Sequence, residues 1–122
     1  MIPSFEIKII KDNISKSELK VLAAAIFGDM VKGVVDIEKE VLALGGELHA
    51  DSEAVLLDCG SKQQNLWGIN IYPSLLRSEW IEFDSMINIR PAQNNRSRNV
   101  ENEEIRNKII EVVHKLIEVN DT

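Results

Sequence analysis

Apolar residues recur every three or four positions between residues 16 and 27, which is the spacing of one buried helix face. Ser15 and Glu18 stand at its start in a capping-box pattern, in which each side chain satisfies a backbone donor of the other residue. Gly28 suits the end of that helix. A second stripe at helical spacing follows Asn102 and comprises Ile105, Ile109, Val112, Val113 and Leu116. The pattern predicts a helix over 16–27 and a longer helix near the end of the sequence.

Four further segments have the alternation or the apolar composition of β-strands. Residues 5–10 predict a first strand, and residues 66–72 predict a late one. Between them, residues 32–37 and 41–48 predict a hairpin that turns at the charged triplet Glu38-Lys39-Glu40. One long strand through the triplet is the alternative.

The sharpest alternation in the chain covers residues 80–90. One side of it carries Ile81, Phe83, Ser85, Ile87 and Ile89, and the other carries Trp80, Glu82, Asp84, Met86, Asn88 and Arg90. Period-two alternation of this kind is typical of a strand in a sheet that is packed on one side only. Earlier in the chain, residues 51–60 predict a short helix capped by Asp51 or Ser52, with a strand over 54–58 as the alternative.

The predicted elements follow the order β-α-β-β-short α-β-β-α, and most strands are neighbours in the chain. This order predicts an α+β fold, with one domain over 1–122. We expect a mostly antiparallel sheet of about five strands with the two main helices packed on one face. The other face would carry polar residues and meet water or a partner: Glu82, Asp84, Asn88 and Arg90.

The composition fits one globular domain. The chain has 122 residues, 44% of them hydrophobic and 28% charged, which excludes a disordered or low-complexity class. No apolar run is long enough to span a bilayer, and the first residues lack the pattern of a signal peptide. Cys59 is the only cysteine, which excludes an intramolecular disulfide and a cysteine-rich zinc module. We therefore expect a cytoplasmic protein without a membrane partner.

Positive charge is concentrated in one loop of an otherwise acidic chain. The formal net charge is −6, but residues 85–100 hold three arginines and no acid. Asn88, Arg90, Arg96 and Arg98 are candidate ligand-binding residues, because arginine binds carboxylate or phosphate through two N–H groups at once. The predicted partner is an anionic small molecule or a single-stranded RNA. The alternative is that these arginines pair with the protein's own acids.

The polar sheet face is a second candidate site. Glu82 and Asp84 lie two positions apart on one predicted strand, hence roughly 6.6–6.8 Å apart, so they are able to share a metal ion or a proton. Asn70 and Tyr72 on a neighbouring strand would add hydrogen-bond donors, and Asn70 is a further ligand-binding candidate. Simple pairing of these acids with basic residues across the strands is the alternative.

A third candidate follows two consecutive glycines. Glu47, His49 and Asp51 alternate, so in an extended chain their side chains would point the same way. Such a set binds divalent metals, or His49 acts as a base oriented by a carboxylate. Asp51 is also a candidate for the helix cap. Whether Glu47 and His49 approach Glu82 and Asp84 depends on the order in which the strands pair.

Several stretches of the sequence resemble a known family: Phe27–Lys32, Val34–Glu38, Gly45–Asp51, Leu66–Asn70 and Ile87–Pro91. The chain is similar over nearly its whole length to a small conserved prokaryotic family that is classified only as a domain of unknown function. The resemblance implies one domain. It implies no activity, cofactor or functional residue.

Two functions from different classes fit these patterns. The first is a binding module that uses the polar sheet face and the arginine-rich loop for an anionic ligand or partner, and whose Trp80 and Met86 favour a homodimer. The alternative is a small metal-dependent hydrolase of a phosphate ester or phosphodiester. Its metal ligands and base would be Glu47, His49, Glu82 and Asp84, and its phosphate would be held by Arg90, Arg96 and Arg98. The sequence indicates no particular cofactor.

Overall fold

The computed structural model describes residues 7–118, and its main elements follow the predicted order. The strands are β1 (Ile7–Ile10), β2 (Ile14–Ser15), β3 (Val31–Asp36), β4 (Val41–Gly45), β5 (Leu66–Ile71), β6 (Ile81–Glu82) and β7 (Ile117–Glu118). The helices are α1 (Lys16–Ile26), α2 (His49–Asp58) and α3 (Glu103–Leu116). Short 3₁₀ turns lie at Gln63–Asn65, Arg77–Glu79, Met86–Asn88 and Pro91–Gln93. The predicted first strand also includes residues 5 and 6, which lie outside the described part.

Five strands form one antiparallel sheet in the order β1-β4-β3-β5-β6. The α+β prediction with about five mostly antiparallel strands is therefore confirmed. The hairpin prediction is also confirmed, since β3 and β4 are joined by a turn in which Glu40 adopts a positive φ of 56°. The short strands β2 and β7 form a separate parallel pair, with Ile14 opposite Ile117.

The two main helices pack on one face of the sheet, as predicted. Ser15 caps α1, because its Oγ accepts the backbone N–H of Glu18 at 3.1 Å. The chain leaves α1 through Gly28, whose φ of 96° is costly for other residues. Apolar side chains of both helices meet the sheet in the larger core: Leu19, Ala23, Ile109, Val112, Val113 and Leu116 from the helices, and Val35, Leu42, Leu44, Trp67 and Ile69 from the strands.

The second face of the sheet is partly covered, which corrects the prediction of a sheet packed on one side only. Helix α2 places Leu56 in a smaller core with Val34, Ala43 and Leu66. All six residues of β5 are buried. Helix α2 begins at His49 rather than Asp51, and its N-cap residue Leu48 provides no side-chain hydrogen bond. The predicted Asp51 or Ser52 cap and the alternative strand over 54–58 are therefore wrong.

The predicted strand over 80–90 ends at Glu82, and the rest of the segment leaves the sheet. Ser85 starts a 3₁₀ turn, since its Oγ accepts the N–H of Ile87 at 3.3 Å. Trp80 also departs from its predicted polar face, because it is 1% exposed in the larger core and donates its indole N–H to Leu75 O. The alternation therefore predicted a longer strand and a more exposed tryptophan than the fold contains.

Candidate functional site

A cleft of about 440 Å³ opens on the second face of the sheet. It lies between the start of α2, the adjoining ends of β3, β5 and β6, and residues 84–87. Its polar lining comes from distant parts of the chain and comprises Lys32, His49, Asn70, Tyr72, Glu82, Asp84, Ser85 and Arg98. The structure thus brings together six candidate residues named from sequence: His49, Asn70, Tyr72, Glu82, Asp84 and Arg98.

Three of these side chains form a row across neighbouring strands. Lys32 of β3 pairs with Asn70 of β5, and Asn70 pairs with Glu82 of β6. Paired residues in antiparallel strands project from the same face, and neighbouring strands lie about 4.8 Å apart. Asn70 therefore stands between a cation and a carboxylate on the floor of the cleft.

The Glu82 carboxylate is held in place by neutral donors. Its Oε1 accepts Asn70 Nδ2 at 2.8 Å and the Tyr72 hydroxyl at 3.2 Å. Asn70 Nδ2 also donates to the backbone oxygen of Asp84 at 3.3 Å. Burial, followed by the charge of Glu82, raises the pKa of Tyr72, so Tyr72 remains a protonated donor at neutral pH.

Arg98 is the arginine of the loop that reaches the cleft. Its Nε lies 2.6 Å from Asp84 Oδ1, with side chains 56% and 43% exposed. This contact agrees with the prediction that the arginines pair with the protein's own acids. The remaining guanidinium N–H groups stay at the cleft wall, where Arg98 and Lys32 offset the charges of Asp84 and Glu82.

His49 is 8% exposed and contributes a neutral imidazole to the cleft. Its Nε2 lies 2.8 Å from the carbonyl oxygen of Ile69. Because a carbonyl only accepts, Nε2 carries the proton and Nδ1 has the lone pair. Burial lowers the pKa of His49, and the Lys32 charge acts in the same direction. The Ile69 carbonyl, Asn70 and Asp84 partly oppose that shift.

The predicted alternation of Glu47, His49 and Asp51 is absent, because His49 and Asp51 lie in the first turn of α2. Glu47 is exposed and lies outside the lining of the cleft. Within residues 7–118, no three histidine, cysteine, aspartate or glutamate side chains lie close enough together to hold a metal ion. Only His49 of this trio therefore joins Glu82 and Asp84.

The side chains of Asn88 and Arg90 form hydrogen bonds with the backbone of β5 and of the turn before it. Asn88 is fully buried, and its amide bonds to both backbone groups of Gly68. Arg90 donates to the carbonyl oxygens of Gln63 and Leu66, and its guanidinium lies 4.1 Å from the Trp67 ring centroid. Because these donors are engaged with the backbone, we do not assign either side chain to ligand binding.

The rest of the arginine-rich loop is also held by its own polar groups. Asn95 Nδ2 donates to three carbonyl oxygens, and its Oδ1 accepts the N–H of Glu101. Glu101 Oε2 accepts the backbone N–H groups of Arg96 and Ser97 and the Ser97 hydroxyl. These donors lower the pKa of Glu101, Ser97 most strongly. Arg96 is exposed and lies outside the cleft lining.

Sequence reasoning missed Lys32 and, in the apolar rim of the cleft, Met30 and Leu48, whereas it placed Met86 beside Glu82 and Asp84. Met30, Leu48 and Met86 line the cleft, and Leu48 and Met86 are 57% and 65% exposed. Lys32 has a visible signal, because it is the one cation inside the otherwise apolar first half of β3. The placement of Leu48 depends on where α2 starts, which the sequence pattern placed two residues too late.

A family profile described as "Protein of unknown function (DUF5674)" matches residues 8–116. Neither a curated protein nor a solved structure shows a significant match to the chain. Among the described residues, no helix has the length and apolar character needed to cross a bilayer.

Proposed function

The chain belongs to the DUF5674 family of proteins of unknown function, and we propose that it is a binding module for a small polar molecule with an anionic group. The observation that carries this proposal is the convergence of the cleft's charged and amide side chains from separate segments. Lys32 lies in β3, Asn70 in β5, Glu82 in β6, and Arg98 in the loop before α3. Convergent polar groups in a cleft with an apolar rim are typical of ligand sites.

The anionic group of the ligand would be held by Lys32 and Arg98. Arg98 keeps N–H donors beyond the Nε that contacts Asp84. Lys32 is half-buried and lines the cleft, and its Nζ lies over the Phe27 ring, 5.2 Å from the ring centroid. Partial burial strengthens charge–charge attraction relative to open water.

The size of the cleft favours a small molecule over single-stranded RNA. A volume of about 440 Å³ falls in the range of small-ligand sites, roughly 300–1,000 Å³. RNA binding relies on a basic track with stacking aromatic residues, whereas Arg90 is committed to the backbone and the net charge is −6. We therefore place the anionic small molecule ahead of RNA.

The metal-dependent hydrolase has less support. It requires several protein ligands around one ion, and residues 7–118 contain no such group of three. His49, Glu82 and Asp84 do share the cleft, so the hydrolase stays a prediction that activity screening with added Mg²⁺, Mn²⁺ or Zn²⁺ tests directly.

Location and self-association are secondary parts of the proposal. The single cysteine favours the cytoplasm. Buried Trp80 removes one of the two residues that favoured a homodimer, while exposed Met86 remains. Sedimentation velocity over a range of protein concentrations measures the oligomeric state, and a monomer at all concentrations would remove the homodimer.

An NMR titration of the ¹⁵N-labelled protein tests the proposed function. The ligands are inorganic phosphate, adenosine monophosphate, 4-methylpentanoate and leucine, which all carry an anionic group. At least one of them is expected to shift the amides of residues 48–50, 70–72 and 82–87 together. Arg98→Ala is expected to weaken that binding at least tenfold, while Arg96→Ala, the matched arginine outside the cleft, leaves it unchanged.

Two results contradict the proposal. One is the absence of clustered cleft shifts with all four ligands. The other is an equal loss of binding in Arg96→Ala and Arg98→Ala, which would assign the effect to overall charge. A fifth titration uses short single-stranded RNA, and shifts confined to the Arg96–Arg98 loop in that titration would instead support nucleic-acid binding.

A further inference from the structure

We infer that the ligand of the cleft is a zwitterion of the amino-acid class, with a protonated amine beside its anionic group and an apolar side chain. This inference rests on the proposed function and adds the amine and the side chain. Three features of the cleft support it. They are the balance of its charges, the unpartnered side-chain oxygen of Asn70, and the apolar rim.

The fixed charges of the cleft cancel. Lys32 and Arg98 are cations, and Glu82 and Asp84 are carboxylates. Burial lowers the pKa of His49 and so keeps it neutral at pH 7. A ligand with only negative charge gains from the two cations but is repelled by the two carboxylates. A ligand with both signs meets an opposite charge at each end.

The side-chain oxygen of Asn70 has no hydrogen bond of good geometry within residues 7–118, although the His49 imidazole lies beside the same side chain. Asn70 is 6% exposed and lines the cleft, and its buried Oδ1 has no hydrogen-bond partner. Its Nδ2 is committed to Glu82 and to the backbone of Asp84, so the amide orientation is fixed. The unpartnered atom is therefore an oxygen, and it requires a donor. Buried acceptors without donors are rare because desolvation leaves them uncompensated.

A protonated amine fits this position. It has three N–H donors and no acceptor, so it can bond to Asn70 Oδ1 and to a carboxylate oxygen of Glu82 or Asp84 at once. Glu82 Oε2 is free for this contact, since both hydrogen bonds found on the carboxylate within residues 7–118 fall on Oε1. A ligand without any N–H or O–H donor would leave Asn70 Oδ1 unsatisfied.

The rim of the cleft favours an apolar side chain on the ligand. Leu48 and Met86 are 57% and 65% exposed, and Met30 and Ile87 continue the apolar surface. Methionine side chains adapt to ligands of different shapes. Covering this rim removes apolar surface from water, which stabilises the complex.

The test compares three molecules of matched carbon skeleton by the same NMR titration. Leucine carries both charges, 4-methylpentanoate lacks the amine, and 3-methylbutylamine lacks the carboxylate. Leucine is expected to bind at least tenfold more tightly than either analogue, with shifts at residues 70, 82 and 48. Glycine is expected to bind more weakly than leucine, because it does not cover the rim.

Two variants test whether the tighter binding of leucine than of 4-methylpentanoate depends on Asn70 and Glu82. Asn70→Ala is expected to bring leucine and 4-methylpentanoate to within about threefold of each other. Asn107→Ala, which removes an exposed amide on α3, should keep the full leucine preference. If Asn70→Ala does not fold, Glu82→Gln replaces it, since loss of the carboxylate charge should also reduce the preference.

The outcomes separate this inference from the proposed function. If 4-methylpentanoate or phosphate binds the cleft as tightly as leucine, the amine is irrelevant and the inference fails while the proposed function stands. If 3-methylbutylamine binds as tightly as leucine, both the zwitterion and the anion-binding proposal fail. If no ligand in either titration shifts the cleft, both fail together.

Discussion

The side-chain amide of Asn88 forms two hydrogen bonds with the backbone of Gly68. Gly68 N–H donates to Asn88 Oδ1 at 2.8 Å, and Asn88 Nδ2 donates to Gly68 O at 2.9 Å. A paired strand would normally occupy these two groups. Beyond the two residues of β6, a side chain therefore replaces the next strand along β5. This replacement lets the chain leave the sheet after Glu82, and residues 84–87 form one wall of the cleft.

Asn88→Ala should lower the free energy of unfolding by about 3 kcal/mol, because three hydrogen bonds of about 1 kcal/mol each disappear. The third bond joins Asn88 Nδ2 to Arg98 O at 3.0 Å. Urea denaturation measures the change, with exposed Asn107→Ala as the control. A decrease of the unfolding free energy by less than about 0.5 kcal/mol would contradict this prediction. It would show that water replaces Asn88 at the N–H and C=O groups of Gly68.

Gly68→Ala should destabilise the fold through a steric clash with Ser85. A Cβ at Gly68 would lie 2.6 Å from both Cβ and Oγ of Ser85 and 3.1 Å from Ile87 Cγ1. Overpacking of this kind costs about 1–3 kcal/mol. The double variant Gly68→Ala/Ser85→Gly should recover part of that loss in urea denaturation, after subtraction of the Ser85→Gly effect. Strictly additive effects would contradict the direct clash.

Arg90→Lys should reduce stability and leave ligand binding unchanged. Lysine keeps the positive charge but cannot donate from two fixed N–H groups to Gln63 O and Leu66 O while stacking on Trp67. The expected loss is about 1–3 kcal/mol in urea denaturation. A variant of wild-type stability with altered phosphate or leucine binding would restore Arg90 as a ligand-binding residue.

His49 should make the protein less stable as the pH falls from about 7.5 to about 5.5. Burial lowers its folded-state pKa below 6.5, so the unfolded chain binds more protons in this interval. The stabilising contribution is complete above the unfolded pKa and is lost as the pH falls toward the folded pKa. His49→Gln, which keeps a donor for Ile69 O, should reduce the slope of unfolding free energy against pH.

A separate His114→Gln variant controls for the second histidine, whose pKa is also lowered, chiefly by burial and then by Arg77. Each variant should remove part of the slope of the unfolding free energy against pH. If His49→Gln retains the full wild-type slope, the imidazole of His49 does not titrate in this range.

Glu40 should stabilise the fold through a salt-sensitive contact between the β3–β4 turn and α3. Its carboxylate lies 2.9 Å from Lys115 Nζ and 3.2 Å from Lys108 Nζ. Hydrogen bonds from Lys115 and then Lys108 lower the pKa of Glu40 below 4.5. The stabilisation is therefore present above about pH 4.5 and is lost as the pH falls through the folded pKa.

Glu40→Gln should lower the melting temperature at low ionic strength, and the difference from wild type should narrow near 1 M NaCl because salt screens exposed charges. Exposed Glu47→Gln is the matched control. Two results would contradict a specific contact between Glu40 and the two lysines. One is an equal decrease of the melting temperature in both variants, and the other is a difference between Glu40→Gln and wild type that persists at high salt.

Local signals predicted most of the elements. The capping pattern at Ser15 and Glu18 and the charged turn before Val41 are contained within a few residues, and the structure has both α1 and the hairpin. The cleft depends on a different kind of information. Lys32, Asn70 and Glu82 form a row only because β5 pairs with both β3 and β6, and a single sequence does not specify that register.

The alternation over 80–90 predicted too long a strand, because two different physical causes produce the same sequence pattern. A polar residue at every second position of a strand faces water. Asn88 and Arg90 instead face the edge of β5 and bond to Gly68 O and Leu66 O. Side chains that satisfy a neighbouring backbone and side chains that face solvent have the same chemistry, so periodicity alone does not distinguish them.

The parallel pair of β2 and β7 has a consequence for the order of folding. Ile14 and Ile117 lie at opposite ends of the described chain, so their contact closes a loop that includes nearly every other element. Closing such a loop early is entropically costly, and distant contacts form late when nearer ones have to form first. We therefore expect the pair to form after the sheet. Because Ile14 and Ile117 are buried in the larger core, that core is complete only once the two ends of the described chain have met.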